Sequence, residues 1–147
     1  MPSTTWVVVA DSSRARVFKA QSAFGSLQEL AALAHPEARL HVQELTSYLP
    51  GRAFDSSGLG PRHAMEQAID PKENEAMKFA RQVAEYLEIS QEEGKFNKLV
   101  LAAAPKFLGY LRQCLSTRVA ALVSREIDKD LVQQTTEDIR RHLPERL

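Results

Sequence analysis

Glycine, arginine and histidine are concentrated in one stretch of the sequence, and together these residue types suit the binding of phosphate groups. Residues 58–66 read Gly-Leu-Gly-Pro-Arg-His-Ala-Met-Glu, so Arg62 and His63 follow a flexible Gly-x-Gly segment. Guanidinium groups and backbone amides are common donors to phosphate oxygens. The residues predicted to contact phosphate or RNA are Arg14, Arg52, Gly58, Gly60, Arg62 and His63. A solvated loop, in which Arg62 pairs with Glu66 or Asp55, is the alternative interpretation.

Carboxylates at three other positions indicate a different chemistry, the metal-dependent cleavage of nucleic acid. Asp11 follows the first apolar segment, and Glu73 and Glu75 lie at the start of the longest helical pattern. Nucleases of this type need several carboxylates that converge on one or two divalent ions. The run from Leu99 to Ala104 carries no acidic residue that would complete such a set. The alternative is structural, with Asp11 capping a turn and the glutamates favouring a helix N-terminus.

Other catalytic and cofactor signatures are not found in the sequence. The Gly58-Leu59-Gly60 segment lies in a loop rather than at a strand–helix turn, and the four histidines lack metal-ligand spacing. The single cysteine, Cys114, falls within an apolar helical pattern and is expected in the core. We therefore predict no cofactor and no metal site. Binding is favoured over catalysis, and a hydrolase with His63 as general base is the remaining enzymatic alternative.

The bulk composition is that of an ordinary globular domain. The chain has 147 residues, of which 44% are hydrophobic and 26% charged, with 19 basic and 19 acidic side chains. This length suits a single domain over residues 1–147, and the neutral total argues against binding polyanions over the whole surface. No secretory signal pattern is visible, and no apolar run approaches the roughly 20 residues of a membrane span. We expect a cytoplasmic protein without a membrane partner.

The first third of the sequence has the pattern of a strand meander. Trp6–Ala10 is a short β-branched run, Asp11-Ser12-Ser13 is turn chemistry, and Ala15–Lys19 resumes a strand. Ser26–Leu30 alternates weakly as a third strand. The candidate core residues of this hairpin are Trp6, Val8, Val17 and Phe18.

An irregular segment separates this meander from the clearest helix. Residues 36–45 fit a strand and a helix equally well, and periodicity stops from 46 to 70. Asp70 and Pro71 are a good N-cap and first helical residue, and Gly94 is the predicted end signal. The buried face of this helix is predicted to be Ala76, Phe79, Ala80, Val83 and Leu87.

Strand and helix patterns alternate over the rest of the chain. The predicted elements are a buried strand over Leu99–Ala103, a helix from Pro105, a partly exposed strand over 119–127 and a last helix capped by Thr135. The order β-β-β-α-β-α-β-α predicts an α/β fold. This order is that of a ribonuclease H-like mixed sheet of about five strands with helices packed on it.

Short segments spread over nearly the whole chain carry a family resemblance. They are the stretches 6–11, 14–18, 50–52, 62–66, 70–72, 79–80, 99–105, 108–109 and 128–131. In these segments the sequence resembles the bacterial proteins described as required for attachment to host cells. That description names a phenotype, so the resemblance implies a role in host attachment without specifying a mechanism.

A more distant resemblance concerns the order of a glycine-rich loop, a long helix and a buried strand. With the loop at Gly58–His63, Phe79-Ala80-Arg81 in the helix and the strand at Leu99–Ala103, the chain resembles the middle domain of archaeal and eukaryotic release factors and of Pelota. The Gly-Gly-Gln of release factors is missing, because Gln67 does not follow paired glycines. The resemblance implies a domain that faces the ribosome or RNA and does not imply peptide release.

These observations lead to one hypothesis and two alternatives. The hypothesis is a non-catalytic, release-factor-like protein that binds ribosome or RNA through its Gly/Arg/His loop. The first alternative is a metal-dependent nuclease or hydrolase of ribonuclease H-like fold. The second is a protein-interaction factor in host attachment.

Overall fold

The chain forms an opening three-strand meander followed by alternating helices and strands. The computed structural model describes residues 3–35 and 71–147. The described elements are β1 (Thr5–Ala10), β2 (Arg14–Ala20), β3 (Leu27–Ala34), α1 (Pro71–Glu92), β4 (Lys98–Ala103), α2 (Pro105–Cys114), α3 (Thr117–Ala120), β5 (Val123–Ile127) and α4 (Thr136–His142). The predicted α/β class is confirmed.

The described strands form one mixed sheet in the order β3-β2-β1-β4-β5. β1 pairs antiparallel with β2, with Val8 opposite Val17, and parallel with β4, with Val8 opposite Leu101. β2 and β3 are antiparallel, and β4 and β5 are parallel. This is the ribonuclease H-like arrangement that the element order predicts. Two parallel strands, β1 and β4, therefore lie next to each other in the middle of the sheet, and their carboxyl ends lie at the same end of it.

Helices cover both faces of the sheet, which explains why the central strands are continuously apolar. Trp6, Val8 and Leu101 face a core that α1 and α2 complete, whereas Val7 and Val100 face a second core that includes residues of α4. The four predicted core residues of the hairpin are all buried. Phe18 belongs to the second core, because neighbours along a strand point to opposite faces.

The predicted helix boundaries agree closely with the structure. α1 begins at Pro71, its five predicted inward residues are buried, and Gly94 with a φ of 75° follows its end. α2 begins at Pro105. Thr135 caps α4, because its side-chain oxygen accepts a hydrogen bond of 3.1 Å from the amide of Asp138. The predicted cap of α1, Asp70, lies outside the described residues.

Two predicted strands differ from the structure. β3 extends to Ala34 rather than ending near Leu30. The predicted strand over 119–127 is wrong in its first part, because residues 117–120 form α3 and the strand starts only at Val123. Ser116 caps this turn by accepting a 3.2 Å hydrogen bond from the amide of Val119. The segments predicted as ambiguous and irregular, 36–45 and 46–70, lie outside the described residues.

Candidate binding cleft

A cleft of about 410 Å³ opens where β1 and β4 end. The chain leaves β1 towards β2 on one side and leaves β4 through α2 towards β5 on the other. Such a reversal of strand order at the carboxyl ends of parallel strands is where open α/β sheets commonly bind ligands. The charged and aromatic side chains that line the cleft include Asp11, Lys72, Glu73, Lys106, Tyr110 and Asp130. We call this feature the switch-point cleft.

The basic groups of the switch-point cleft come from the first turns of two helices. Lys72 follows Pro71 at the start of α1, and Lys106 follows Pro105 at the start of α2. Proline is favoured at the first helical position, where its fixed φ and missing N–H cost nothing. Both helix N-termini, with their partial positive charge, therefore lie beside the cleft.

Lys106 and Glu73 form an ion pair across the cleft wall. The Nζ of Lys106 lies 3.1 Å from Oε2 of Glu73, and the two side chains are 71% and 38% exposed. An ion pair this exposed contributes only about 0–1 kcal/mol, because water and salt screen the charges. The loss of this particular ion pair to an anionic ligand would therefore cost little.

Asp11 serves both the turn after β1 and the cleft. Its Oδ1 accepts hydrogen bonds of 2.9 Å from the amide of Ser13 and 2.7 Å from the amide of Arg14. These bonds are the turn-capping role that such an aspartate commonly plays. The same side chain also lines the cleft.

The two predicted glutamates of α1 have different surroundings. Glu73 faces the switch-point cleft, whereas Oε1 of Glu75 lies 2.8 Å from Nε2 of the buried His35. The His35 ring also stacks on Phe79, with centroids 5.6 Å apart. The hydrogen bond with His35, and secondarily the charge of Lys78, holds the pKa of the Glu75 carboxyl below its usual range. Glu75 thus ties α1 to the end of β3.

An aromatic wall on α2 completes the cleft. Tyr110 is half-buried and meets the buried Phe107 edge to face, with centroids 6.4 Å apart and ring planes at 85°. Phe107 in turn packs against Phe79 of α1 at 6.0 Å. Lys106 and Tyr110 are four residues apart, so they lie on one helix face about 6 Å apart along the axis. The wall therefore combines a cation with an aromatic ring one helical turn away.

The predicted basic residue Arg14 lies at the same end of the sheet. It is exposed at the start of β2, it pairs in register with Ala34, and its amide binds Asp11. The amide of His35 binds the carbonyl of Ser13 at 3.0 Å. Residue 35 and the start of α1, which flank segment 36–70, are thus both close to the cleft. The remaining predicted loop residues, Arg52, Gly58, Gly60, Arg62 and His63, lie outside the described residues.

The sequence reasoning missed the two lysines, Tyr110 and Asp130. A signal for the lysines was present, because the dipeptide Pro-Lys opens both helices that flank the cleft. Asp130 lies outside regular secondary structure, after β5, where its Oδ1 accepts a 3.2 Å hydrogen bond from the amide of Val132. No periodicity or motif spacing connects that position with Asp11.

Three other features bear on the predicted chemistry. Within residues 3–35 and 71–147, no group of three or more histidine, cysteine or acidic side chains is arranged to hold a metal ion. Cys114 is half-buried against the α1–α2 core, and burial raises the pKa of its thiol. None of the described helices is both long enough and apolar enough to cross a bilayer.

Comparison with known proteins gives a match over most of the chain. A family model described as "Protein required for attachment to host cells" matches residues 6–143. An uncharacterized protein of Rickettsia prowazekii (strain Madrid E) is 34% identical over 83 residues, which is 55% of each chain. The chain thus spans about half the length of that relative.

A solved structure described as "Archaeal protein" is also similar to this chain. The match covers 88% of this chain and 31% of the other, with 12% sequence identity and a TM-score of 0.46.

Proposed function

Because the chain belongs to the family of proteins required for attachment to host cells, we propose that its part in attachment is that of a non-catalytic protein that binds the phosphate groups of RNA. The binding end is the one at which β1 and β4 finish. One observation supports this assignment above all. Arg14, Lys72 and Lys106 lie at that end together with the first turns of two helices.

The basic side chains and helix N-termini at this end suit contact with a phosphate backbone. Lysine and arginine side chains bind phosphate oxygens, and helix N-termini favour negative charge. The exposed Lys106–Glu73 pair is weak, so this pair would not strongly oppose phosphate binding by Lys106. The neutral total charge of the chain limits this attraction to one region, so binding would depend on location rather than on net charge.

The predicted loop residues would extend the same surface. Arg52, Arg62 and His63 belong to segment 36–70, whose flanking residues 35 and 71 are both at the binding end. In this proposal Gly58 and Gly60 let the backbone approach a phosphate closely. The choice of ribosomal or transfer RNA as partner rests on the distant resemblance to the release-factor middle domain and stays a hypothesis.

The test is co-sedimentation of the full chain with ribosomes, and titration with single-stranded RNA, at low and high salt. We expect binding that weakens steeply with ionic strength, because each phosphate contact adds about 0.7 to the logarithmic salt slope for a single strand. Removal of one phosphate contact, as in Lys106→Ala, Arg14→Ala or Arg62→Ala, should weaken binding. It should also reduce the logarithmic salt slope by about 0.7, the share of one contact.

A matched control is available at the opposite end of the sheet. Lys95 forms an exposed pair with Glu93, also at 3.1 Å, and it lies near the start of β1, where the amide of Asn97 binds the carbonyl of Thr4. Lys95→Ala removes the same charge and a similar ion pair, and it should leave RNA binding unchanged. Absence of association at every salt concentration, or equal losses from Lys95→Ala and Lys106→Ala, would contradict the proposal.

A metal-dependent nuclease is the second candidate, because Asp11 and Glu73 line one cleft and Asp130 joins them there. In this alternative they would hold a divalent ion through bridging water, since the described carboxylates do not converge directly. Glu75 would not take part, because it pairs with His35. Incubation of end-labelled RNA with the protein and Mg²⁺ or Mn²⁺ distinguishes the candidates, since a pure binding protein leaves the RNA intact.

The third candidate is a protein-interaction factor that acts directly in host attachment. It is favoured by the family description alone. We propose instead a cytoplasmic protein whose effect on attachment is indirect, through translation. Fractionation of the producing cells tests this point, and recovery of the chain at the cell surface would favour direct attachment.

A further inference from the structure

We infer that the switch-point cleft recognises a single nucleoside monophosphate unit, with the phosphate beside Lys72 and Lys106 and the base on Tyr110. The inference rests on the proposed function and names the part of RNA that the cleft would take. The same unit occurs at a phosphorylated RNA end and as a free mononucleotide. The argument depends on the size, charge and aromatic wall of the cleft.

The size of the cleft suits one nucleotide rather than a length of strand. Its volume of about 410 Å³ lies at the lower end of the roughly 300–1,000 Å³ typical of small-molecule pockets. An extended strand would instead need a groove that continues across the surface. A terminal or free nucleotide can therefore lie in this open cleft, whereas an internal one would need the groove to continue on both sides.

Lys106 and Tyr110 are spaced to hold the two ends of a nucleotide. Their backbone positions lie on one face of α2 about 6 Å apart along the axis, so a cationic and an aromatic side chain leave the helix one turn apart. Phe107 packs against the Tyr110 ring edge to face. Every base presents a π-face, so this platform accepts a base without selecting its identity. Lys72 approaches the phosphate position from α1.

The phosphate position also benefits from the start of α2. The residue before this helix is Ala104, which has no polar side-chain atom to cap the first turn. Ala104 itself lines the cleft. An anion bound here would take the place of a capping side chain, as phosphates do at helix N-termini in other proteins.

The acidic groups of the cleft would limit the number of phosphates that it takes. Asp11, Glu73 and Asp130 outnumber the two lysines. They are acceptors for the ribose hydroxyl groups, a role that carboxylates play in other nucleotide sites. They also repel additional negative charge, so a monophosphate is favoured over a triphosphate that carries no metal ion.

The test is titration of the full chain with AMP, adenosine, inorganic phosphate and magnesium-free ATP, followed by amide NMR shifts or calorimetry. We expect saturable AMP binding with shifts at the starts of α1 and α2. Inorganic phosphate, adenosine and ATP should each bind about tenfold more weakly, or not measurably. Absence of saturable AMP binding at millimolar concentration overturns the inference, as does ATP binding tighter than AMP.

Variants separate recognition of the base from simple attraction of charge. Tyr110→Phe keeps the ring and should keep the AMP affinity, whereas Tyr110→Leu should lower it about tenfold. Tyr86→Leu is the matched control, because Tyr86 packs against the same core but stacks on Trp6 at the other end of β1. Equal AMP affinity in Tyr110→Leu and the parent protein also overturns the inference.

RNA oligonucleotides with and without a 5′-phosphate identify the source of the unit. Preference for the phosphorylated end supports recognition of an RNA terminus, and AMP binding without any RNA binding supports a free nucleotide. In that second case the inferred ligand chemistry survives while the proposed RNA function fails. If RNA binds but neither a terminal phosphate nor AMP changes that binding, the proposed function stands and the inference is overturned.

Discussion

At the scale of single residues, the His35–Glu75 contact joins two elements that flank the cleft. His35 is buried at the end of β3, and Glu75 reaches it from the first turns of α1. A hydrogen bond to a charged group contributes more than one between neutral groups when both partners are largely shielded from water. This contact therefore fixes the start of α1, and with it the position of Lys72 and Glu73.

We expect this contact to make stability depend on pH at the acidic side. The pKa of Glu75 is lowered from its ordinary value of 4.5 in the folded state. Its stabilising effect is complete above pH 4.5 and is lost as the pH falls through the folded-state pKa. Denaturant unfolding of the parent and Glu75→Gln should differ by on the order of 1 kcal/mol at neutral pH. The difference should vanish in strong acid.

Glu93→Gln is the control for this experiment, because Glu93 forms an exposed pair with Lys95. Its effect on the free energy of unfolding should be near zero at both pH values. A difference between parent and Glu75→Gln that stays constant from neutral pH into strong acid would show that the Glu75 charge does not act through His35.

At the scale of elements, two glycines should respond to the same substitution with opposite signs. Gly94 has a φ of 75° after α1, whereas Gly109 lies within α2. Apart from chain neighbours and, for Gly109, the nearby backbone of its own helix, a Cβ at either position meets no heavy atom of the described residues within 4 Å. Gly94→Ala should destabilise by about 1–2 kcal/mol through backbone strain. Gly109→Ala should stabilise by about 0.5–1 kcal/mol through helix propensity.

Thermal or denaturant unfolding of the two alanine variants measures this difference directly. Because neither position is crowded, the comparison isolates the backbone from packing. Stabilisation by Gly94→Ala would mean that the left-handed turn after α1 is not needed. Destabilisation by Gly109→Ala would mean that its place in α2 is closely approached by another part of the molecule.

The sequence predicts the elements that have their own local signals. Pro71 and Pro105 mark helix starts, Gly94 marks an end, and Thr135 marks a cap, each through a backbone requirement that acts within a few residues. β3 was predicted too short because Ala31, Ala32 and Ala34 carry little strand preference and owe their conformation to pairing with β2.

One overlooked local cap and several tertiary contacts account for what the sequence analysis did not predict. Val119 fits the alternation of a strand with Val123, but the Ser116 cap turns this stretch into α3. In the cleft, Asp11 was recognised by its place after β1, whereas Asp130 reaches the same cleft only through the fold. The sequence also does not show where the cleft lies relative to α1. It therefore does not distinguish Glu73, which lines the cleft, from Glu75, which pairs with His35.

At the scale of the whole molecule, the sheet lies between helices on its two faces, and its central strands contribute side chains to both hydrophobic cores. Leu101 in β4 is completely buried against α1 and α2. We expect Leu101→Ala to lower the free energy of unfolding by about 3 kcal/mol, through lost burial and the cavity left behind. Against a total of about 5–15 kcal/mol, this is a large loss.

Leu30→Ala provides the comparison on a strand at the side of the same sheet. Leu30 in β3 is 40% exposed, so its replacement should cost less than about 1 kcal/mol. Urea unfolding monitored by the fluorescence of the single buried tryptophan, Trp6, reports both variants. Similar losses in the two variants would mean that the region around β4 relaxes to fill the cavity.

The pairing of β1 with β4 has a consequence for how the chain acquires its structure. β1 pairs with β2 after a tight turn. Its other neighbour, β4, follows α1 in the sequence and is therefore synthesised only after that helix. Until then, one edge of β1, whose residues after Thr5 are all apolar, has unpaired backbone donors and acceptors that can pair with other chains. We therefore expect slow refolding whose yield falls as protein concentration rises, because closing the long β1–β4 loop is the costly step.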